Sequence, residues 1–228
     1  IFHHQGKQFI PDPTTAKVPG PFRVRPVIST EKADTEAVKA VCPTGAIGTD
    51  ADGKLSLDLG RCLFCGECER RFPGKIHFTD DTHLATNVRE RLIIKEGEDR
   101  PIEVDKSAIR PEVRNLFRGS LKLRQVSAGG DGSCEAELNA TGNVQFDMGR
   151  YGIEFAASPR HADGVLITGP ISANMAEALQ LTYDAVPAPK LVILDGTDAI
   201  SGGIWAGSPD VDRSFLDIHE VDLYIPGN

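Results

Sequence analysis

Cysteines are the residues of this 228-residue chain best suited to chemistry, and their spacing divides the five into a group of four and a single one. Cys62, Cys65 and Cys68 form C-x2-C-x2-C, Cys42 stands upstream directly before Pro43, and Cys134 is isolated. Thiolates are soft donors that hold iron–sulfur clusters or zinc, or pair as disulfides. Structural zinc sites usually draw on two separated C-x2-C pairs. Three cysteines at this pitch instead match the faces of a cubane, with the tight loop turning three sulfurs inward and Gly66 relieving crowding. The pitch therefore favours a [4Fe–4S] cluster on Cys62, Cys65 and Cys68 with one further thiolate.

The same residues resemble the repeated C-x2-C-x2-C-x3-C-P run of two-cluster bacterial ferredoxins, in which the fourth cysteine of each run serves the other run's cluster. The first run survives here only as Cys42-Pro43, with Lys32, Thr35 and Val38 at the three earlier ligand positions. The second run keeps its three cysteines and has Phe72 before Pro73 in place of the fourth. The losses are complementary. The resemblance thus implies one complete [4Fe–4S] site on Cys42, Cys62, Cys65 and Cys68, while its twin has lost all four ligands, so an apolar plug is expected in the twin's place.

The elements that must position these residues follow from local pattern. Residues 1–30 carry Pro11-Asp-Pro13 and Pro19-Gly-Pro21 and read as an extended arm that wraps a neighbour. Residues 31–41 read as a helix stopped by Cys42-Pro43. Residues 47–59 read as a hairpin turning at Asp52-Gly53. With the cysteine loop these define an α+β ferredoxin-like domain over 31–83. A charged connector over 84–120 follows, in which Arg91–Lys95 reads as a strand. In 121–228, Gly164–Thr168 and Lys190–Leu194 are apolar runs suited to a buried parallel sheet, and Asn174–Ala185 between them reads as a helix. This segment is expected to be a three-layer α/β domain with a mostly parallel, flavodoxin-like sheet, with function collected in loops after the strand ends.

Composition narrows the function classes. A formal charge of −8 and the absence of a long basic run argue against nucleic-acid binding. No apolar stretch is long enough to span a bilayer, so the chain is expected to be soluble or peripheral. The chain begins at Ile1, and nothing about targeting is read from that end. Gly129-Gly130-Asp131-Gly132 lacks the G-x-G-x-x-G pattern and a Walker lysine, which argues against a nucleotide site. No nucleophile–base constellation supports a stand-alone hydrolase. His3-His4 is left undecided between metal binding and no role.

Several motifs in 115–228 carry a family resemblance. In order they are Arg118-Gly-Ser-Leu-Lys-Leu-Arg124, Gly129-Gly130, Cys134-Glu135, Arg150-Tyr-Gly-Ile153 and Ala157–Asp163. Thr168-Gly-Pro170, Pro187–Lys190, Ser201-Gly-Gly203 and Val221–Gly227 follow. Together they resemble the small subunit of membrane-bound, energy-converting [NiFe]-hydrogenases and its relative in respiratory complex I. The arm and ferredoxin-like part resemble a separate polyferredoxin-type subunit of those complexes, so the chain looks like a fusion of the two.

The resemblance implies a proximal [4Fe–4S] cluster whose ligand positions fall on Asp131, Cys134, Asp198 and Asn228. Only one is a thiol, so the α/β domain is expected to hold no cluster, and the proximal-cluster site is read as degenerate. The implied function is an electron-transfer or assembly subunit of a hydrogenase-related or complex I-related oxidoreductase, more a non-catalytic subunit than an enzyme by itself. Its implied partners are a large-subunit homologue and further subunits, with membrane contact only through them, on the cytoplasmic side. Two rival readings stay open. One is a non-redox scaffold with a structural cluster; the other is a hydrogenase or quinone-reductase subunit with an unusual metal at Asp131, Cys134 and Asp198. Arg160 and His161 are weighed for a redox role, and Tyr151 and Phe155 as core or interface aromatics.

Overall fold

The computed structural model describes residues 18, 20–116 and 119–227. Most of the arm expected over 1–30, with His3-His4, lies outside the described residues. Its last part does not: Pro26–Ile28 is a strand, β1. Helix α1 (Thr35–Ala40) and strand β2 (Ile47–Thr49) follow, and the sequence β–α–β then recurs as β3 (Leu55–Asp58), α2 (Glu67–Arg71) and β4 (Ile76–Phe78). The halves exchange pairing. β1 runs antiparallel to β4 with Val27 opposite His77, and β2 runs antiparallel to β3 with Gly48 opposite Ser56.

Local chemistry sets these boundaries. The Asp34 carboxylate accepts the Glu36 and Ala37 amides, so α1 starts at Thr35 rather than at Glu31. The hairpin turns where expected, with Asp50 Oδ1 accepting the Asp52 and Lys54 amides. Leu55 and Leu57 alternate inward along β3. At the positions matching the lost cluster ligands, Val38 is fully buried and Phe72 packs against the same core. The buried Lys75 ammonium lies close by, donating to Ser29 O, Glu31 O and Glu96 Oε1.

The strand expected in the connector is β5 (Ile93–Lys95), which pairs with β3 and so extends the first unit's sheet to three strands. Helix α3 (Pro111–Leu116) then leads into the second unit. Its elements are β6 (Leu121–Ser127), α4 (Ser133–Thr141), β7 (Ile153–Phe155), β8 (Gly164–Thr168), α5 (Ala173–Ala185), β9 (Leu191–Asp195), α6 (Thr197–Ser201), α7 (Phe215–Ile218) and β10 (Leu223–Ile225).

The five strands lie in the order β7-β6-β8-β9-β10, parallel throughout. In strand sequence this is 2-1-3-4-5, the order of flavodoxin-like doubly wound sheets, with its switch point between β6 and β8. Every residue of β8 is buried, as a central parallel strand covered on both faces requires. At the switch point the loops after β6 and β8 touch. A Cβ on Gly169 would clash with Gly130 N, so the close approach leaves no room for a side chain there.

One hydrophobic core runs through both units. It includes Ile28, Leu57 and Leu59 from the first and Val165, Leu194, Ala199 and Ile200 from the second. A smaller cluster of Leu123, Leu166 and Ile193 lies within the parallel sheet. Among the described residues no helix is long and apolar enough to cross a membrane.

Candidate functional site

Cys62, Cys65 and Cys68 lie on the turn between β3 and α2 and on the first turn of that helix. Phe64 (φ 51°) and Gly66 (φ 72°) adopt left-handed backbone there. The Arg23 side chain braces the loop by donating Nε to Phe64 O at 2.6 Å, and it packs where a Cβ on Gly66 would stand. Cys42 arrives from the end of α1. All four cysteines line one pocket with apolar walls that include Ile47, Leu57 and Phe78. Cys62 and Cys68 are buried, Cys42 is half-buried and Cys65 is exposed.

The donors suit a soft, multinuclear group. The Ala46 amide donates to Cys42 Sγ at 3.2 Å and the Phe64 amide to Cys62 Sγ at 3.4 Å, contacts that stabilise thiolate sulfur. Burial pushes the Cys62 thiol up to about 12 and that of Cys68 up to about 11, with the neighbouring cysteines adding to both. These thiols keep their protons at neutral pH unless a metal displaces them. None of the five cysteines is engaged in a disulfide. Among the described residues no three Cys, His, Asp or Glu side chains gather closely enough to hold a single metal ion.

The second candidate set gathers at the switch point of the parallel sheet. Asp131 is exposed and turned back on its own loop, accepting the Ser133 amide at 2.9 Å and Ser133 Oγ at 2.6 Å. Cys134 is buried in the first turn of α4. Burial pushes its thiol up to about 12, with Asp195, Glu135, Glu137 and Asp131 adding to the effect. Asp198 is buried in α6, and burial raises its carboxyl, with the Asp131 charge reinforcing the shift and Arg213 opposing it. Its carboxylate occupies the space above Gly203, where no Cβ would fit. The structure thus brings Asp131, Cys134 and Asp198 to one end of the sheet but not within reach of one ion. Asn228 lies outside the described residues.

Other groups at this end were not singled out as site residues by sequence, although Glu135 belongs to the Cys134-Glu135 motif. Glu135 accepts hydrogen bonds from Ser127 Oγ and Thr168 Oγ1, which help to hold its carboxyl below the usual range against its burial. Asp195, at the end of β9, is pushed up to about 7 by burial and by Glu137 and Glu135. The Arg213 guanidinium donates to the carbonyls of Pro170, Asp198, Ala199 and Ile200. Thr197, fully buried at the start of α6, donates Oγ1 to Cys62 O at 2.7 Å and so links the two candidate sites. Their sequence signal was slight: Asp195 and Thr197 flank the glycine that follows an apolar strand. Arg160 and His161 are exposed on a short 3-10 turn, and Tyr151 and Phe155 are exposed rather than core.

Comparison with known proteins places the second unit. Residues 132–228 match the family described as NADH ubiquinone oxidoreductase, 20 Kd subunit. The probable membrane-bound hydrogenase subunit mbhJ of Pyrococcus furiosus is 34% identical over 102 residues, covering 45% of this chain and 61% of that protein. An NADH-quinone oxidoreductase subunit of Heliobacterium modesticaldum is 42% identical over 99 residues, covering 41% and 54%. An F(420)H(2) dehydrogenase subunit of Methanosarcina mazei is 42% identical over 96 residues, covering 42% and 52%. A chain in the solved structure of the membrane-bound sulfane sulfur reductase, an archaeal respiratory membrane complex, gives a TM-score of 0.43 at 26% identity, covering 52% and 66%. The small-subunit resemblance read from the sequence is therefore borne out for this unit. The chain spans about half to three fifths of the length of these curated relatives.

Proposed function

We propose that this chain is an electron-transfer subunit of an oxidoreductase complex related to membrane-bound hydrogenases and complex I. In this reading Cys42, Cys62, Cys65 and Cys68 hold one [4Fe–4S] cluster and the α/β unit holds none. The observation that carries it is the four-cysteine pocket of a β–α–β repeat, set beside a family scaffold in which Asp131 and Asp198 stand where the resemblance implies thiolates. When bound, such a cluster supplies one-electron transfer at a potential tuned by its surroundings.

The chain's own residues have definable tasks. The four thiols give up their protons on binding iron, which offsets the burial that otherwise keeps Cys62 and Cys68 neutral. Ile47, Leu57 and Phe78 keep water from the inner face of the pocket. Cys65 is the exposed ligand, and it marks the edge nearest to a redox partner. The Ala46 and Phe64 amides favour the more negative, reduced state. Partner subunits, including a large-subunit homologue, would give the chain a peripheral place on the cytoplasmic side of a membrane.

The test is to count iron and acid-labile sulfide on anaerobically purified protein and record paramagnetic resonance after reduction. The expected result is about four irons and one cubane-type signal, from the ligand count of one such site. About eight irons with two interacting signals would show that Asp131 and Asp198 serve as ligands after all. Zinc without sulfide would overturn the cluster reading.

A further inference from the structure

We infer that Thr197 is a positioning residue for the cysteine loop, so that the α/β unit sets the environment of a cluster bound in the other unit. This rests on the one-cluster reading above. Thr197 and Cys62 are 135 residues apart in sequence, yet the Thr197 hydroxyl donates to Cys62 O at 2.7 Å in a fully buried contact. The contact is not an isolated touch. A Cβ on Gly60 would lie 2.7 Å from Ile200 Cγ2, so α6 is seated directly on the turn that delivers Cys62. That turn is itself anchored, since Asp58 accepts the Gly60 amide and both terminal nitrogens of Arg89.

Helix α6 is held equally firmly from its other side. Arg213 takes the carbonyls of Asp198, Ala199 and Ile200, while the Gly196 and Thr197 amides donate to Ile225 O and Gly227 O. The Thr197 hydroxyl therefore projects from a rigid mount. It fixes the peptide plane after Cys62, and that plane leads into the one whose amide, at Phe64, donates to Cys62 Sγ. Partners of this kind, one bond beyond the ligand, orient a ligand and tune its metal. Replacing the hydroxyl by a methyl frees the plane and weakens the N–H···S contact. The reduced state, which carries one more negative charge, then loses stabilisation. This gives the α/β unit a role that does not need a cluster of its own.

The experiment uses the full chain, anaerobic and iron-loaded, with potentiometric titration followed by paramagnetic resonance. Thr197→Val is expected to lower the reduction equilibrium constant about three- to tenfold, a negative shift of up to about 59 mV for one electron. Thr197→Ser, which keeps a hydroxyl, should stay close to the parent value. Ser201→Ala is the control, because its hydroxyl donates to Thr197 O within α6 and does not reach the cysteine loop. An unmoved potential in Thr197→Val, or an equal shift in Ser201→Ala, would overturn the inference. A second measurement needs no variant. Coupling is reciprocal, so iron loading of the parent protein should slow amide exchange in α6 relative to chelated protein, and unchanged exchange there also overturns it. Parent protein that binds no iron would overturn the one-cluster reading itself, an outcome seen before any variant is compared.

Discussion

Asp195 closes β9 near Glu135 and Glu137 of α4, and its carboxyl lies far from its ordinary range. Burial first, and then Glu137 and Glu135, push it up to about 7. In the unfolded chain it would release its proton near 4. Between about pH 4 and 7 the folded state thus holds more protons than the unfolded one, so this residue makes stability fall as pH rises through that window. Asp195→Asn is expected to remove the fall and to stabilise the protein at pH 8 by on the order of 2–4 kcal/mol. Urea unfolding at pH 5 and pH 8 checks it, and a variant no more stable than the parent at pH 8 would refute the assignment. The site's legibility in sequence divides along the same line. The cysteines announced themselves, because metal-ligand chemistry demands fixed residue types at fixed spacing. Asp195, Glu135, Thr197 and Arg213 did not, because their importance comes from neighbours far away in sequence, such as Cys62 beside Thr197.

At the scale of elements, the approach to the parallel sheet is locked by one arginine. Arg110, just before α3, donates Nε and Nη2 to the two oxygens of Asp222 at 2.9 and 3.0 Å, and Nη2 also reaches Lys190 O at 2.7 Å. Asp222 in turn accepts the Val192 amide. Bidentate, charge-assisted bonds of this kind are among the stronger surface-proximal interactions. Arg110→Met should cost about 2 kcal/mol, read as a lower urea midpoint with an unchanged denaturant slope. No loss of stability would mean that the connector docks through its apolar contacts alone. The elements that pattern alone located share a feature: their signal is local. The apolar run at 164–168, the helix after it and the hairpin near residue 53 appear as expected, and the run read at 190–194 forms the strand Leu191–Asp195. The pairing of β1 with β4 and of β5 with β3 was not legible, because period-two alternation in three residues is no signal and each partner is distant in sequence. The helix begun at Thr35, after the Asp34 cap, rather than at Glu31 shows capping chemistry overriding a helical composition.

Across the whole molecule, the two halves share one core and a buried hydrogen bond between them, so cluster binding and folding should be linked beyond the cysteine loop. A group that binds only the folded state adds its binding free energy to whatever unfolds cooperatively with its site. If the halves were independent, removing iron would leave the α/β unit untouched. With Leu59 and Ile200 in one core, and α6 seated on the turn before Cys62, loss of the loop's order strips packing from α6. Trp205, the chain's single tryptophan, follows α6 closely and reports on that unit by fluorescence. Iron removal is expected to lower the Trp205-detected melting temperature by roughly 10 °C, the shift that about 3–4 kcal/mol produces in a chain of this size. The fluorescence and far-ultraviolet transitions should move together as a single step. A Trp205 transition that stays in place while the cluster's visible absorption is lost would show two separate folding units, and would remove the basis for coupling between the α/β unit and the cysteine loop.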